Sequence, residues 1–438
     1  MSDCNPIYTE EIIPENINLT WNTIAQMDDD TFEDYLKLLQ KYLIDAYRLR
    51  RNPIMMGQKS EKEIRKSLIN FSKLDIHGTL IEKLVTADNK KLNVVKNYNK
   101  FGNVVNHWFP EISETKVARN TKDKNPRSVI DNIEDWVFFK RNMSAVLKRD
   151  RMRLFKDRQD EPIFPAASVA LKLGSGTQPV TNFPPSIAKW VYEYHLTKYF
   201  KEEEKYYVLD PSMGWGGRMI GLLAASEKIE RPIVLVGTDV NTTVHDRFDM
   251  IYEYWKNKIV NPNDECWMKL HKYVTPAEDL HKNAEFKTFC GLGHLAFTSP
   301  PYFNRENYSN DDTQSFIRYG NNYELWRDDF LRKMVENSYN FLRPGGILII
   351  NIADIKIGKD KYYPLEQDTI DAATDLGMQY IDKYHFLLSP IIGNNKAKNF
   401  ITIKEDVSTV DENAFFESKN PEQVETTYKF EPMFVFKK

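Results

Sequence analysis

The spacing of apolar residues changes character partway along this chain. Near the N-terminus it is helical. Phe32, Tyr35, Leu36, Leu39, Leu43, Ala46 and Tyr47 recur at i+3 and i+4 behind the N-cap candidates Asp28 to Thr31, which predicts a helix over 28–51. Its end is basic (Arg48, Arg50, Arg51), which suits the helix dipole. A second helix is expected over 60–71, where Ser60 and Glu63 have the spacing of a capping box. Weaker helical spacing runs over 80–95, and an amphipathic segment covers 128–155. Residues 1–27, with Pro6 and Pro14, read as an irregular lead-in and 160–165 as a linker, so residues 1–160 form a helical N-terminal region.

Beyond 165, short apolar runs alternate with helical spacing. The runs predict strands at 206–209, 232–238, 271–274, 294–298, 346–353, 379–387 and 432–437, and the helical spacing predicts helices at 184–200, 217–226, 242–259, 323–342 and 365–376. That alternation specifies an α/β fold, a doubly wound, mostly parallel seven-stranded sheet, over residues 165–438. Residues 389–428 are polar and irregular and interrupt the last hairpin.

Composition excludes more than it identifies. With 41% hydrophobic and 28% charged residues and a net charge of -3, the chain is neither disordered nor uniformly basic. Cys4, Cys266 and Cys290 are far apart, and the histidines have no ligand spacing, so no metal site and no disulfide framework is expected. The longest apolar run, 347–352, is too short to span a bilayer, and the acidic start is unlike a signal peptide. A reducing, cytoplasmic setting without a membrane partner is the expectation.

Candidate chemistry sits where the predicted strands end. The first strand of the α/β part runs into Asp210-Pro211-Ser212-Met213-Gly214-Trp215-Gly216-Gly217-Arg218, a turn whose glycines admit a ligand close to the backbone at a helix N-terminus. Met219 stands where a dinucleotide fingerprint needs its last glycine, which disfavours a nicotinamide or flavin enzyme. The next strand ends in Asp239, either an N-cap or an acceptor for the two hydroxyls of a ribose. The fourth ends in Ser299-Pro300-Pro301-Tyr302-Phe303, where two prolines remove backbone donors and leave carbonyls free.

Taken together, Asp210-Pro211-x-x-Gly-x-Gly followed by Ser299-Pro300-Pro301-Tyr302 resembles the S-adenosylmethionine-dependent amino-methyltransferases of DNA, which modify N4 of cytosine or N6 of adenine. Over roughly 165–438 the likeness also takes in Asn182-Phe183-Pro184-Pro185, Leu342-Arg343-Pro344-Gly345-Gly346 and Phe430 to Lys437. Two positions depart from it: Ser212 replaces a frequent aromatic, for which Trp215 would substitute, and Arg218 stands where a small hydroxyl residue is usual. The resemblance implies a Rossmann-like class I methyltransferase fold and S-adenosylmethionine as cofactor. Asp210, Pro211, Ser212, Gly214, Trp215 and Gly216, with Phe183 and Pro184, would hold its methionine end, Asp239 its ribose, and Asp279 its adenine amino group, although Glu278 and Asp279 also suit a helix start. It further implies DNA as partner and admits a companion restriction enzyme.

The Ser-Pro-Pro-Tyr turn has a chemical rationale of its own. An exocyclic amine is a poor nucleophile because its lone pair is delocalised into the ring. Ser299 Oγ and the Pro300 carbonyl, accepting both N–H bonds, would draw the nitrogen toward a tetrahedral shape, with Tyr302 stacked on the base and Pro301 stiffening the turn. The base must be flipped out of a duplex to reach such a turn. Serine at its head favours cytosine N4 over adenine N6. Arg141, Lys148, Arg149 and Arg151 lie in a basic stretch, 116–158, that reads as a solvated helix face or a phosphate-contacting surface, and Arg305 follows the turn in a polar loop. RNA or protein-glutamine methylation, or a catalytically silent nucleic-acid-binding subunit, are the alternatives.

Overall fold

The protein is described by a computed structural model covering residues 13–48, 60–76, 81–85, 90–97, 99–117, 127–150, 159–164, 180–260, 268–308, 311–358, 361–390, 399–405 and 424–438. In chain order the main elements are helices α1 (Asp29–Arg48) and α2 (Glu61–Lys73), strands β1 (Ile81–Val85) and β2 (Lys91–Lys96), and helix α3 (Trp136–Ser144). The α/β part follows with α4 (Pro185–Tyr199), β3 (Tyr206–Asp210), α5 (Gly217–Ile229), β4 (Ile233–Thr238), α6 (Thr242–Lys258), β5 (Met268–Tyr273) and β6 (Gly293–Thr298). It closes with α7 (Arg332–Phe341), β7 (Leu342–Asn351), α8 (Leu365–Thr374), β8 (Gln379–Pro390), β9 (Phe400–Glu405) and β10 (Val424–Lys437).

One 10-stranded sheet organises them, in the order β1-β2-β8-β10-β7-β6-β3-β4-β5, with β9 on β10. The strands from β7 through β5 pair in parallel, and β10 runs antiparallel between β8 and β7. Seven of these strands are those expected from the apolar runs. The central strands β4, β6 and β7 read as continuous hydrophobic stretches because both faces are covered. Along β3, Val208 faces one core with α4, α5 and α6, while Leu209 faces the other with α7 and α8.

The N-terminal region departs from the helical expectation. Residues expected as weak helix over 80–95 instead form the hairpin β1–β2, and β2 pairs in parallel with β8 through Asn93 to Lys96. The reason is burial on two sides: Val94 and Val95 are both buried but belong to different clusters, which suits β-branched neighbours in a strand. Helix α2 keeps the expected capping box between Ser60 and Glu63 and packs with the main core. A separate helical cluster joins α1 to 129–147 and to Ile163 and Phe164. Its amphipathic segment is broken at Asp135, whose carboxylate accepts hydrogen bonds from the Val137 and Phe138 amides and restarts the helix as α3. Among the described residues, no helix is long and apolar enough to cross a membrane.

Helix α4 carries a histidine locked into the core. His195 is fully buried, its Nδ1–H donates to the Val191 carbonyl at 2.7 Å, and Nε2 accepts from the Tyr384 hydroxyl at 3.3 Å. Burial pushes its pKa down to about 4, and that of His294 likewise to about 4. An unfolded histidine titrates near ~6.5. The unfolded chain therefore binds more protons between those values, and stability is lost as pH falls from about 6.5 toward 4. We expect the urea midpoint to drop across that window and the drop to be shallower in His195→Gln. Parallel pH curves for the two proteins would contradict this assignment.

Candidate active site

Strand β3 sits where the sheet order turns, with β4 on one side and β6 on the other, so the loops leaving their C-terminal ends diverge and open a crevice. A cavity of about 890 Å³ occupies it, lined by Phe183 and Pro184, by Pro211 to Trp215, by Asp239, and by Ser299 to Tyr302. The glycine turn, the second-strand acid and the Ser-Pro-Pro-Tyr turn, far apart in sequence, thus share one cavity.

On one side, the glycine turn is shaped by its own packing. Gly216 has φ +69°, and a Cβ there would meet the Phe109 ring at 3.0 Å; a Cβ on Gly217 would lie 2.2 Å from the Phe183 carbonyl oxygen. The Gly216-Gly217 pair is therefore needed for the chain to press against the Asn182-Phe183 segment, and Gly216 itself does not line the cavity. Asn182 Nδ2 completes the junction by donating to the Trp215 carbonyl at 2.6 Å. Asp239 accepts from the Gly214 amide at 2.8 Å and from the Asn241 amide at 3.0 Å, and burial pushes its carboxyl above the usual range. It fixes the turn and lines the cavity at once.

Asp210 is not a cavity residue. Its side chain is enclosed and paired with Arg218, whose Nε donates at 2.9 Å and whose Nη2 donates at 3.1 Å. Arg218 also holds the Ser212 carbonyl and is itself part of the cavity lining. The departure seen in the sequence thus has a structural consequence: the cavity meets a guanidinium in front of the acid. Asp279 likewise lies off the cavity, tied to Lys282 at 2.7 Å and to Arg318 at 2.9 Å, whereas its neighbour Glu278 lines it. Glu278 is buried and receives the Tyr319 hydroxyl at 2.7 Å and Arg318 at 3.0 Å, and burial raises its pKa. One step along the 277–282 turn decides which acid faces inward, and nothing in the local sequence distinguishes them.

On the other side stands the Ser-Pro-Pro-Tyr turn. Ser299 Oγ donates to Asn351 Oδ1 at 3.3 Å, and Asn351 Nδ2 donates to the Pro432 carbonyl at 3.1 Å. The Pro301 carbonyl accepts from the Phe303 amide at 3.1 Å, while that of Pro300 accepts no hydrogen bond among the described residues. The Tyr302 hydroxyl donates to Glu431 at 3.3 Å, which fixes the ring plane. Phe303 closes the turn at φ +44°, a conformation that costs a non-glycine residue about 1–3 kcal/mol. It is held there by Tyr323, Trp326 and Tyr363, with ring centroids 5.1–5.8 Å away.

Glu306 and Glu431 face this half of the cavity, and burial pushes both carboxyls up, toward the neutral form. Tyr308 donates to Glu306 at 2.7 Å. The segment that carries them is anchored: Glu306–Asn307 pairs antiparallel with Lys116–Val117 from the N-terminal region. The sequence reading missed Asn351 and Glu431, yet each was signalled by a polar residue ending or interrupting a buried apolar strand. Glu306 and Tyr308 had no such signal.

The expected nucleic-acid contacts divide. Arg305 lines the cavity. Lys148 is tied to Asp29 at 3.0 Å and covers the Phe32 ring within the helical cluster, whereas Arg141 is exposed and lies over the ring of Phe138 on its own helix. Lys140 is likewise bound to Glu33. The Arg149 side chain and Arg151 lie outside the described residues. The cavity mouth instead carries Lys100, Lys356 and Lys429, all exposed and without an ion-pair partner among the described residues.

Comparison with known proteins gives fold-level likenesses only. No family model matches the sequence, and no curated protein matches it. Among solved structures, one assigned as a class I S-adenosylmethionine-dependent methyltransferase from Listeria monocytogenes shares 13% identity, with 86% of this chain and 87% of that chain covered and a TM-score of 0.34. One assigned as a DNA modification methylase from Thermus thermophilus shares 17% over 37% of this chain and 49% of that one, TM-score 0.22. A 16S rRNA (adenine(1408)-N(1))-methyltransferase from Catenulisporales acidiphilia shares 13% over 59% of this chain and 96% of that one, TM-score 0.28. At these identities and scores, activity and substrate rest on the site itself.

The Arg218–Asp210 pair gives a direct stability test. Arg218→Met leaves a buried, unpaired carboxylate and should lower unfolding stability by about 3–5 kcal/mol. Adding Asp210→Asn in the same chain should recover most of that loss in urea denaturation. A single variant as stable as the parent would show that the pair is not enclosed as described.

Proposed function

We propose that this protein is an S-adenosylmethionine-dependent methyltransferase acting on the exocyclic amino group of a flipped-out DNA base, with cytosine N4 ahead of adenine N6. The observation that carries this reading is the direction of the Ser299 hydrogen bond. Asn351 is oriented by the Pro432 carbonyl, so its Oδ1 takes the Ser299 proton, and Ser299 Oγ turns its lone pairs to the cavity. Beside it the Pro300 carbonyl is free. Two neutral acceptors side by side match the two N–H bonds of one amino group.

The residues present fit the cofactor. Asp239 offers a half-buried acceptor at the second-strand tip, Gly214 and Trp215 bring backbone to the cavity wall, and Arg218 gives the methionine end a cation. Glu278 takes the adenine-facing role that the resemblance assigned to Asp279. When bound there, the cofactor supplies an electrophilic methyl group on sulfur. Ser299 and the Pro300 carbonyl would hold the amine with its lone pair aimed across the cavity, and acceptors fixed before reaction stabilise the positive charge that develops on nitrogen. Tyr302, clamped by Glu431, would form the stacking wall. Burial raises the pKa of Glu431 and Glu306, and each already accepts a tyrosine hydroxyl at the cavity wall.

Lysines around the mouth favour a polyanion over a protein amide as substrate. A DNA strand entering past Lys100, Lys356 and Lys429 would release counterions at each phosphate contact.

Two measurements test the proposal. Transfer of labelled methyl from S-adenosylmethionine to duplex DNA should fall roughly a hundredfold or more in Ser299→Ala, the scale of a lost preorganised hydrogen bond, with DNA binding retained. Label entering RNA or protein instead would move the substrate, and none entering any acceptor would favour a silent subunit. Separately, Lys356→Ala and Lys429→Ala should each weaken DNA binding on all sequences and flatten the slope of log K against log salt by about one. Unchanged slopes would remove these residues from the DNA path.

A further inference from the structure

Arg218 has a use beyond pairing with Asp210. Its guanidinium has five N–H bonds. Nε and Nη2 are committed to Asp210, and Nη2 also to the Ser212 carbonyl. Nη1 has no hydrogen-bond partner among the described residues, although Arg218 is only 4% exposed. Of the two partners it is Arg218, not Asp210, that borders the cavity. The cation is placed at the first turn of α5, a helix of 13 residues whose N-cap, Gly216, supplies no side-chain cap, so the positive end of the helix dipole adds to it. The Phe183 ring lies 5.8 Å from the guanidinium carbon and limits its movement.

A buried arginine with one free nitrogen, held rigidly beside an uncapped helix N-terminus, is suited to a carboxylate. We propose that Arg218 Nη1 is the ligand for the α-carboxylate of the cofactor's methionine moiety, making Arg218 a binding residue and Asp210 the positioning residue that orients it. This rests on the S-adenosylmethionine reading above. It also gives the departure at this position a use: an arginine stands in place of a small hydroxyl residue, and Asp210 neutralises its charge when no ligand is present.

The test is calorimetric binding to the full-length protein of S-adenosylhomocysteine and of its decarboxylated analogue, which differ only in the carboxylate. The parent should bind the decarboxylated compound roughly tenfold to a hundredfold more weakly, the range of one charge-assisted hydrogen bond. Because Arg218→Met alone strands Asp210, the informative variant is Asp210→Asn with Arg218→Met, checked for folding by circular dichroism. It should lose affinity for S-adenosylhomocysteine by a similar factor while binding the decarboxylated analogue within about twofold of the parent, so that the preference for the carboxylate disappears. A variant that still prefers the carboxylate, or that loses both ligands equally, overturns the assignment and leaves Arg218 a purely structural partner of Asp210. Failure of the parent to bind either compound would overturn the cofactor reading itself.

Discussion

The direction of one hydrogen bond, from Ser299 Oγ to Asn351 Oδ1, decides what the cavity can receive. Were Asn351 turned the other way, its amide nitrogen would donate to Ser299, and the serine proton would face the cavity as a donor. The Pro432 carbonyl prevents this by engaging Asn351 Nδ2. Pro432 belongs to β10, the antiparallel strand inserted between β7 and β8. The chemistry of the turn after β6 is thus set by the register of β10 on β7, where Met433 faces Asn351.

The same dependence on distant strands recurs around the cavity. Tyr302 is clamped by Glu431, also from β10, and the loop bearing Glu306 is pinned by Lys116–Val117. On the opposite wall, the glycine turn leans on Asn182 and Phe183 ahead of α4, and Asp239 ties that turn to the end of β4. Asp239, Ser299, Tyr302 and Glu306 in the cavity wall are each held by a second residue, which is the arrangement a transfer reaction needs when positioning and electrostatics supply the rate enhancement.

Much of this was legible from residue order. The central strands of the α/β part announced themselves because strands buried on both faces carry few polar residues, and the three turns followed because strand ends of a parallel sheet point to one side. What could not be read was which neighbour faces inward. Glu278 and Asp279 differ by one position on a short turn. Asp210 looked available until Arg218 was found in front of it. The hairpin β1–β2 was mistaken for weak helix because its partner, β8, lies almost 300 positions later, and pairing of that range leaves no local periodicity. The pairing inside the basic stretch was hidden for a related reason: Lys140 and Lys148 meet acids on α1, which charge spacing within their own segment cannot reveal.

The claim that most needs testing is that Ser299 and Pro300 receive the amino group of a DNA base. DNA from cells producing the full chain, and from cells producing Ser299→Ala, can be digested and its methylated nucleosides separated by mass. N4-methylcytosine, or in second place N6-methyladenine, should be present with the parent chain and absent with the variant. Neither base above background in DNA from cells that hold the folded parent protein would contradict it.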